Sequence, residues 1–380
     1  MKFNKWTLGL AAVGAVSLAS AARADETNML MTSLSATTIS GYVDVAAQYN
    51  VGNVNPGTVP AGTAFNKVDN ISLNDVDIAF DKPEDESPWA SGYHIELNYG
   101  TDAVGVTGNG GQAVAASGTA GLAIRQAYVV LRTPLGNGID WKIGIQDDII
   151  GYEGNTDGGN PNYTRSVGYF YEPTTLLGLI GSYKICNAVT VQAGIADATS
   201  PFVATSSDKT AAAAIALTAP DSWGWAKGAT LNAGVLLNIE NHGVQNYYAG
   251  LSLPTPISVL KVGASFDLIA VNNQAPRFVP GNTQNDSGWV GAVYATIQPT
   301  DKLSFNLRGE YYDLTGGALN PYGAGNGRGE EATATLSYSL WANVTSRVEA
   351  RWDHVDSGDA FGLTPVADSF LVAANIIYTF

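Results

Sequence analysis

The chain has 380 residues, with 34 acidic and 19 basic side chains, and a formal charge of −15 at pH 7. This acidic balance argues against nucleic acid as a partner, because phosphate binding needs a basic surface. The single cysteine, Cys186, excludes an intrachain disulfide and a cysteine-based metal site.

Residues 1–24 have the organisation of a signal peptide. A basic start, "MKFNK", precedes the apolar run "WTLGLAAVGAVSLA", and Ala22 and Ala24 are the small residues of an A-x-A cleavage site. We expect cleavage after Ala24, which removes three basic residues and changes the charge from −15 to −18, followed by a short periplasmic segment at 25–37. A transmembrane anchor is the alternative, but the apolar run is shorter than the ~20 residues of a bilayer span.

From residue 38 onward, segments of about ten residues alternate apolar and polar side chains, which is typical of a strand with two different faces. Their length suits a tilted strand that crosses a bilayer. Beyond the signal peptide no apolar run reaches ~18 residues, so we expect no membrane-spanning helix. The predicted strands are 38–49, 70–81, 90–101, 122–133, 138–148, 176–185, 188–198, 210–219, 229–240, 244–254, 258–269, 288–298, 302–313, 330–341, 344–355 and 369–380.

The connections between these strands alternate in length. Those after even-numbered strands are mostly short, as in "LPTPIS" and "QPTD", and those after odd-numbered strands are mostly long, as in "VNNQAPRFVPGNTQNDS". Short periplasmic turns with long extracellular loops are typical of an outer-membrane barrel, whereas a β-sandwich has no reason for this asymmetry. The sequence therefore predicts an all-β fold: one transmembrane antiparallel up-and-down β-barrel of about sixteen strands over residues 38–380.

The two faces of each predicted strand differ in chemistry. In 302–313, Phe305 and Leu307 share one face while Arg308 and Glu310 share the other. A soluble sheet with one wet face gives the same alternation. Sixteen such strands, aromatic strand ends and a signal peptide favour the membrane barrel, which must be closed because an open edge in lipid leaves backbone groups unpaired.

Four stretches of the first half resemble a known family. They are "TTISGYVDVAAQYN", "RQAYVVLRTP", "WKIGIQDDIIGYE" and "NPNYTRSVGYFYEP", and they are similar to the OmpL-like β-barrel porins, which have Gram-negative general-porin architecture. The resemblance implies a water-filled channel in outer-membrane lipids for passive diffusion of small hydrophilic solutes and ions, with a homotrimer usual for this size. The final "NIIYTF", where Tyr378 and Phe380 alternate, resembles the signal that the barrel-assembly machinery recognises.

The connection after the fifth strand is the third long loop. Sixteen strands enclose a lumen wide enough for an aqueous channel, and in porins of this strand number the third loop typically folds into it. By resemblance we expect a constriction at about 149–167, whereas the alternative is a loop that stands outside the barrel. The candidate constriction residues are Glu153, Asp157, Asn160, Asn162, Tyr163 and Arg165.

The polar faces predict charges in the lumen. These are Asp44, Asp75, Asp77, His94, Glu96, Asp140, Lys142, Arg308, Glu310, Arg347, Glu349, Arg351 and Asp353. The acidic wall of strands 1–3, with the negative net charge, predicts a weak preference for cations. The basic residues of strands 13–15 are expected opposite the third loop, which predicts a transverse field across the pore; the alternative is that neighbouring Arg and Glu only pair across strands.

Enzymatic and metal-binding hypotheses have little support in the sequence. His94, His242 and His354 stand in no HExxH or G-x-S-x-G context. Asp147 and Asp148 suggest a paired-carboxylate hydrolase site, but adjacent strand residues point to opposite faces. Since no Asp or Asn spacing completes a calcium loop, we expect no cofactor. The competing class is a structural or adhesive barrel with a plugged lumen.

Overall fold

The computed structural model describes residues 37–51, 69–85, 87–105, 121–197, 209–239, 243–271, 286–314, 327–356 and 366–380. The predicted signal peptide, the 25–37 segment except its last residue, and His242 lie outside these residues, as do parts of the predicted long loops.

Sixteen antiparallel strands form one closed barrel in which each strand pairs with its neighbours in the sequence, and β1 pairs with β16. The predicted fold class is confirmed, and every predicted strand end lies within two residues of the observed one. The strands are β1 (Thr38–Val51), β2 (Asn70–Lys82), β3 (Ser91–Gly100), β4 (Gly121–Thr133), β5 (Ile139–Asp147), β6 (Thr175–Cys186), β7 (Val189–Asp197), β8 (Thr210–Thr218), β9 (Thr230–Ile239), β10 (Val244–Pro254), β11 (Leu260–Val271), β12 (Asp286–Ile297), β13 (Leu303–Asp313), β14 (Arg328–Trp341), β15 (Val344–Val355) and β16 (Asp368–Thr379).

The barrel closes through β1 and β16. Their register extends from the Tyr42–Thr379 pair to the Val51–Phe370 pair. Beyond the last paired residue of β16, the Gly41 N–H donates to the Phe380 carbonyl at 3.1 Å and the Phe380 N–H donates to the Gly41 carbonyl at 3.0 Å. Closure gives both strands a full set of backbone partners, which a sheet in lipid requires.

The described helices are short. Helix α1 (Asp102–Gly105) follows β3, helix α2 (Val167–Tyr171) precedes β6, and two 3₁₀ turns span Asp157–Gly159 and Asp221–Ala226. In the part of the chain that the structure describes, none of these has the length and hydropathy of a membrane-spanning helix.

Along the strands, apolar side chains are exposed and charged side chains are buried, which is the reverse of the pattern in a soluble protein. In β13, Phe305, Leu307 and Tyr311 are each 43 % exposed, whereas Arg308 and Glu310 on the opposite face are 3 % and 5 % exposed. Charged residues are ordinarily the exposed ones in water. An apolar outer face with a polar inner face is the arrangement of a barrel that spans a membrane.

Two β-bulges change which side chains face the lumen. In β2 the register shifts so that Asn74 is an extra residue beside Asp75, and in β4 a shift makes Arg125 an extra residue beside Gln126. All four of these side chains are buried. Each bulge therefore brings two consecutive polar residues into the interior, which strict alternation does not predict.

The segment between β5 and β6, residues 148–174, is here called loop 3. Its apolar residues Ile150, Val167 and Tyr171 belong to a buried cluster with inner-face residues of several strands, among them Leu236 of β9 and Ile269 of β11. Loop 3 therefore lies inside the barrel, because these strands surround the lumen.

Candidate pore constriction

Arg165 organises the fold of loop 3. Its guanidinium donates to the carbonyls of Gly154, Asn155 and Tyr163 at 2.9–3.2 Å and to the Asp157 carboxylate at 2.9 Å. The side chain is fully buried. An arginine with five donors satisfies several loop carbonyls at once. Burial lowers the Arg165 pKa, but the charges of Asp157 and other nearby acidic groups outweigh burial, so the pKa is raised.

Two further side chains hold local turns of loop 3. Asn160 donates to the carbonyls of Gly154 and Thr156 at 2.7 and 2.8 Å, and accepts from the Gly154 N–H at 2.8 Å. Ser166 is the N-cap of α2 and accepts from the Tyr169 N–H at 3.0 Å. Loop 3, between β5 and β6, therefore folds into a compact unit.

Two glutamates of the barrel wall bind the backbone of loop 3. The Glu349 carboxylate of β15 accepts from the N–H groups of Tyr163 and Thr164 at 2.5 and 2.9 Å, and from the Thr164 hydroxyl at 2.6 Å. The Glu310 carboxylate of β13 accepts from the Val167 N–H, at the start of α2, at 2.9 and 3.0 Å. Hydrogen bonds to a carboxylate are stronger than those between neutral groups.

Three arginines of the same wall bind loop 3 carbonyls. Arg308 donates to the Thr164 carbonyl at 2.8 Å and pairs with Glu153 of the loop at 2.8 Å. Arg347 donates to the carbonyls of Asn160 and Asn162 at 3.1 and 3.2 Å, and Arg351 donates to the Arg165 carbonyl at 2.6 Å.

Charged neighbours hold these arginines in place. Arg351 forms a bidentate pair with Asp353 at 2.7 and 2.8 Å, and Arg308 pairs with Glu331 of β14 at 3.0 Å. Strands β13–β15 thus present an alternation of donors and acceptors that matches the loop backbone.

The transverse field predicted across a gap is wrong in this region. The basic side chains of β13–β15 do not stand across open space from the loop but contact it directly. The reason is that the loop backbone offers carbonyl acceptors that buried guanidinium groups need, because an unpaired buried charge is costly. Pairing across strands, the alternative, also occurs, as between Arg308 and Glu331.

Loop 3 also contacts the neighbouring wall on the other side of β16. The Asp157 N–H donates to the Tyr42 hydroxyl of β1 at 3.3 Å, and the Asn74 side chain of β2 donates to the Tyr163 hydroxyl at 3.3 Å. Bulging of β2 at Asn74 makes the second contact possible. The loop therefore contacts the wall on both sides of β16, at β1–β2 and at β13–β15.

The base of loop 3 rests against β10–β12. The Asn246 side chain of β10 donates to the Tyr171 carbonyl at 3.3 Å, and Tyr152 stacks on Tyr294 of β12 with ring centroids 4.0 Å apart. Glu172 contacts the Asp267 carboxyl group of β11. Burial, followed by the charges of Asp267, Asp148 and Glu153, raises the Glu172 pKa well above its usual range.

The six residues predicted to form the constriction are all buried. Their exposed fractions range from 0 % for Asn162 and Arg165 to 7 % for Glu153 and Asn160. In addition to its carbonyl contact with Arg347, Asn162 donates through its amide to the Thr335 hydroxyl of β14 at 2.7 Å. Their polar groups hold the loop, while Gly154, Gly158 and Gly159 are its exposed residues together with Phe170.

The predicted acids of β1–β3 form a connected network. Asp44 accepts from Asn74 and Asn375 at 3.1 and 2.9 Å. Asp75 accepts from Tyr42 at 2.7 Å, and the Asn98 amide donates to both Asp75 and Asp77.

A second group lies on β2–β4. Glu96 pairs with Arg125 at 2.6 Å and with His94 at 3.2 Å, and His94 also contacts Asp81 at 3.1 Å. The remaining predicted charges on this wall are further apart: Asp140 pairs with Arg132 at 2.8 Å, and the Lys142 ammonium lies 4.7 Å from the centre of the Tyr128 ring.

Asp147 and Asp148 have different surroundings. Asp147 pairs with Arg125 at 2.6 Å, accepts from Asn155 at 2.9 Å, and keeps 42 % of its side chain exposed. Burial raises the Asp148 pKa well above its usual range, with further contributions from the charges of Asp147 and Asp267.

His354 contacts Asp368 near the barrel rim. In the described ranges, no group of three or more His, Cys, Asp or Glu side chains has a metal-binding arrangement.

Several residues of the site were not predicted. They are Tyr42, Asn74, Asn98, Arg125, Asn155, Thr164, Glu172, Asp267, Glu331 and Thr335. Tyr42 and Asn98 could have been predicted from the sequence, because they share a strand face with predicted acids. Asn74 and Arg125 could not have been predicted from alternation, because β-bulges direct their side chains inward.

Solved structures with a similar fold are outer-membrane proteins. The outer membrane channel DcaP of Acinetobacter baumannii aligns with a TM-score of 0.61 and 13 % identity over 90 % of this chain and 97 % of that chain. An anion-selective porin from Comamonas acidovorans gives 0.58 and 12 %, over 90 % and 99 %. OmpT of Vibrio cholerae in its trimer form gives 0.56 and 12 %, also over 90 % and 99 %. At these identities the likeness concerns the fold.

The comparison with curated proteins gives no match. Residues 36–380, which include the whole described barrel, match the family model described as "Putative beta-barrel porin-2, OmpL-like". The chain therefore belongs to the OmpL-like family of outer-membrane β-barrel porins.

Proposed function

We propose that the protein forms a water-filled channel for passive diffusion of small hydrophilic solutes and ions, narrowed by loop 3. The observation that carries this proposal is the attachment of the loop backbone to Glu310, Glu349 and the arginines of β13–β15. A loop held inside a sixteen-stranded barrel reduces the width of the lumen, which would otherwise be large. Family membership supports the transport function.

The passage lies between loop 3 and the wall of β3–β5. Buried contacts join the loop to β1–β2 and to β10–β15, whereas Asp147, Lys142 and Tyr128 on β4–β5 are only partly buried. Partly exposed polar side chains on this wall offer solutes a hydrated surface. We assign Asp147 as the charged group at the narrowest part, because it contacts loop residue Asn155 and is still 42 % exposed.

Planar-bilayer conductance and liposome swelling with sugars of graded size test this function. We expect stable single-channel steps and a permeation rate that falls steeply with sugar size. If the folded protein gives no conductance at any voltage, the result would contradict the proposal and favour the structural or adhesive barrel. Hydrolase activity that disappears in Asp147→Asn, with folding retained, would instead support the enzyme hypothesis.

Export, assembly and oligomeric state are part of the proposal. Residues 1–24 act as a cleaved signal peptide, and Tyr378 and Phe380 form the signal for the barrel-assembly machinery. A homotrimer is proposed from the trimer form of the structural neighbour OmpT. Measurement of the mass of the native complex in detergent tests this proposal. We expect the mass of a trimer, and the mass of a monomer at all concentrations would contradict it.

A further inference from the structure

Lys142 places a positive charge on the wall of β3–β5 that faces loop 3. In the register of β5 with β6 it lies opposite Ile180, whose side chain belongs to the buried cluster inside the barrel. Lys142 is therefore on the lumen side of β5, and the residue is only partly buried. It lies closer than Asp147 to the short turn between β4 and β5, because β5 begins at Ile139.

An aromatic ring holds the ammonium group of Lys142. The Nζ atom lies 4.7 Å from the centre of the Tyr128 ring, a distance at which the ring attracts a cation. Tyr128 also stacks on His94, with ring centroids 5.3 Å apart and an angle of 19° between the planes. Because all three side chains come from strands, the barrel wall fixes the position of the ammonium group.

Lys142 differs from the other basic residues on the described parts of β3–β5, because those are held in ion pairs. The pairs are His94 with Asp81 and Glu96, Arg125 with Glu96 and Asp147, and Arg132 with Asp140. Within the same ranges Lys142 has no such pair. The acids whose charges act on it, Asp147, Asp81 and Glu84, lie beyond ion-pair distance. Its charge therefore stays accessible to a mobile anion.

Two glycines leave space beside the ammonium group. Gly144, two residues from Lys142 on the same face of β5, pairs with Gly178 of β6. Both glycines are partly exposed, and neither places a side chain in the lumen. A Cβ atom at Gly144 would lie 2.3 Å from the Ala127 carbonyl oxygen, so this position has to be a glycine. The wall is therefore indented next to the ammonium group, and a small solute can approach it there.

The chemistry of the wall selects the class of solute. An ammonium group forms charge-assisted hydrogen bonds with carboxylates, whereas the acids around Lys142 repel anions that carry many charges. We propose that Lys142 binds the carboxylate group of small organic acids that pass through the channel, and so determines part of its specificity. This inference rests on the proposed channel function and adds a solute class to it.

The effect of succinate on the KCl current in planar bilayers tests the proposal. Lys142→Met removes the charge and keeps an unbranched side chain over Tyr128, whereas Lys142→Arg keeps the charge. Lys184→Met is the matched control, because Lys184 is an exposed lysine on the lumen side of β6, four residues beyond Ile180 toward the short turn. Heat-modifiable migration in gels verifies that each variant is folded, and Lys142→Gln serves if Lys142→Met does not fold.

We expect succinate to reduce the current saturably in the wild type, Lys142→Arg and Lys184→Met. In Lys142→Met the half-maximal concentration should rise at least about threefold, the effect of one unit charge at close range in water. A lysine that only balanced the charge of the wall would give no saturation. A conducting wild type without a saturable effect, or an equal effect in folded Lys142→Met, would overturn this inference and leave the channel function standing. A wild type without conductance would overturn both.

Discussion

At the scale of single residues, the wall glutamates have a role that differs from a general lining of the pore. Glu349 accepts from two adjacent N–H groups of loop 3 and from the Thr335 hydroxyl at 2.6 Å. In Glu349→Gln, one carboxylate oxygen becomes an amide donor that faces another donor. We expect a loss of about 2 kcal/mol in loop attachment, from the cost of an unpaired buried group.

The measurable result of Glu349→Gln is a noisier channel with larger mean conductance in planar bilayers. Glu330→Gln is the control, because Glu330 is exposed on the neighbouring strand β14. Wild-type conductance and noise in folded Glu349→Gln would show that this carboxylate does not hold the loop.

Glu172 makes the base of loop 3 sensitive to pH. Its pKa is raised by burial and by the nearby carboxyl groups of Asp267, Asp148 and Glu153. A group whose pKa is higher in the folded state stabilises the protein fully below its unfolded pKa, about 4.3 for glutamate. That stabilisation is lost as pH rises through the folded value.

We therefore expect the base of loop 3 to exchange its amide hydrogens faster, after correction for intrinsic rates, as pH rises through the raised pKa of Glu172. Glu172→Gln stays neutral and should reduce this pH dependence. The same dependence in the wild type and in Glu172→Gln would assign it to another group.

At the scale of elements, the strands were predictable and the attachment of loop 3 was not. Alternation predicted every strand within two residues, even β8, where "TAAAAIALT" has a weak pattern, because lipid and lumen impose different chemistry on the two faces. The contact between Glu349 and Tyr163 joins positions 186 residues apart and uses a backbone N–H. Any residue offers that donor, so the sequence has no local signal for the contact.

The junction of β1 and β16 depends on a glycine. A Cβ atom at Gly41 would lie 2.1 Å from the Asp77 carbonyl oxygen and 2.9 Å from the Phe380 ring. Gly41→Ala should therefore reduce the yield of folded, heat-modifiable barrel severalfold, because closure pairs Gly41 with Phe380. Gly309→Ala is the control, since its Cβ would find no atom closer than 3.8 Å. Equal yields would show that the junction adjusts to a methyl group.

At the scale of the whole molecule, most of the charged side chains predicted to line the lumen are buried. The side of β10–β15 is filled by contacts with loop 3, and the acids of β1–β3 are buried in their own network. The predicted weak preference for cations must then come from charges that solutes can reach. Asp147 is such a charge, whereas its partner Arg125 is buried.

Asp147→Asn should shift the ion preference toward anions. The change removes an exposed negative charge and leaves Arg125 paired with Glu96 alone, so the field in the passage becomes more positive. Reversal potentials in a KCl gradient measure the effect, and we expect a shift of several millivolts that diminishes at high salt through screening. Asp221→Asn is the control, because Asp221 is an exposed acid in a turn, paired with Lys227. If both variants keep the wild-type reversal potential, ions pass elsewhere than along β4 and β5, and the passage must be assigned to another wall.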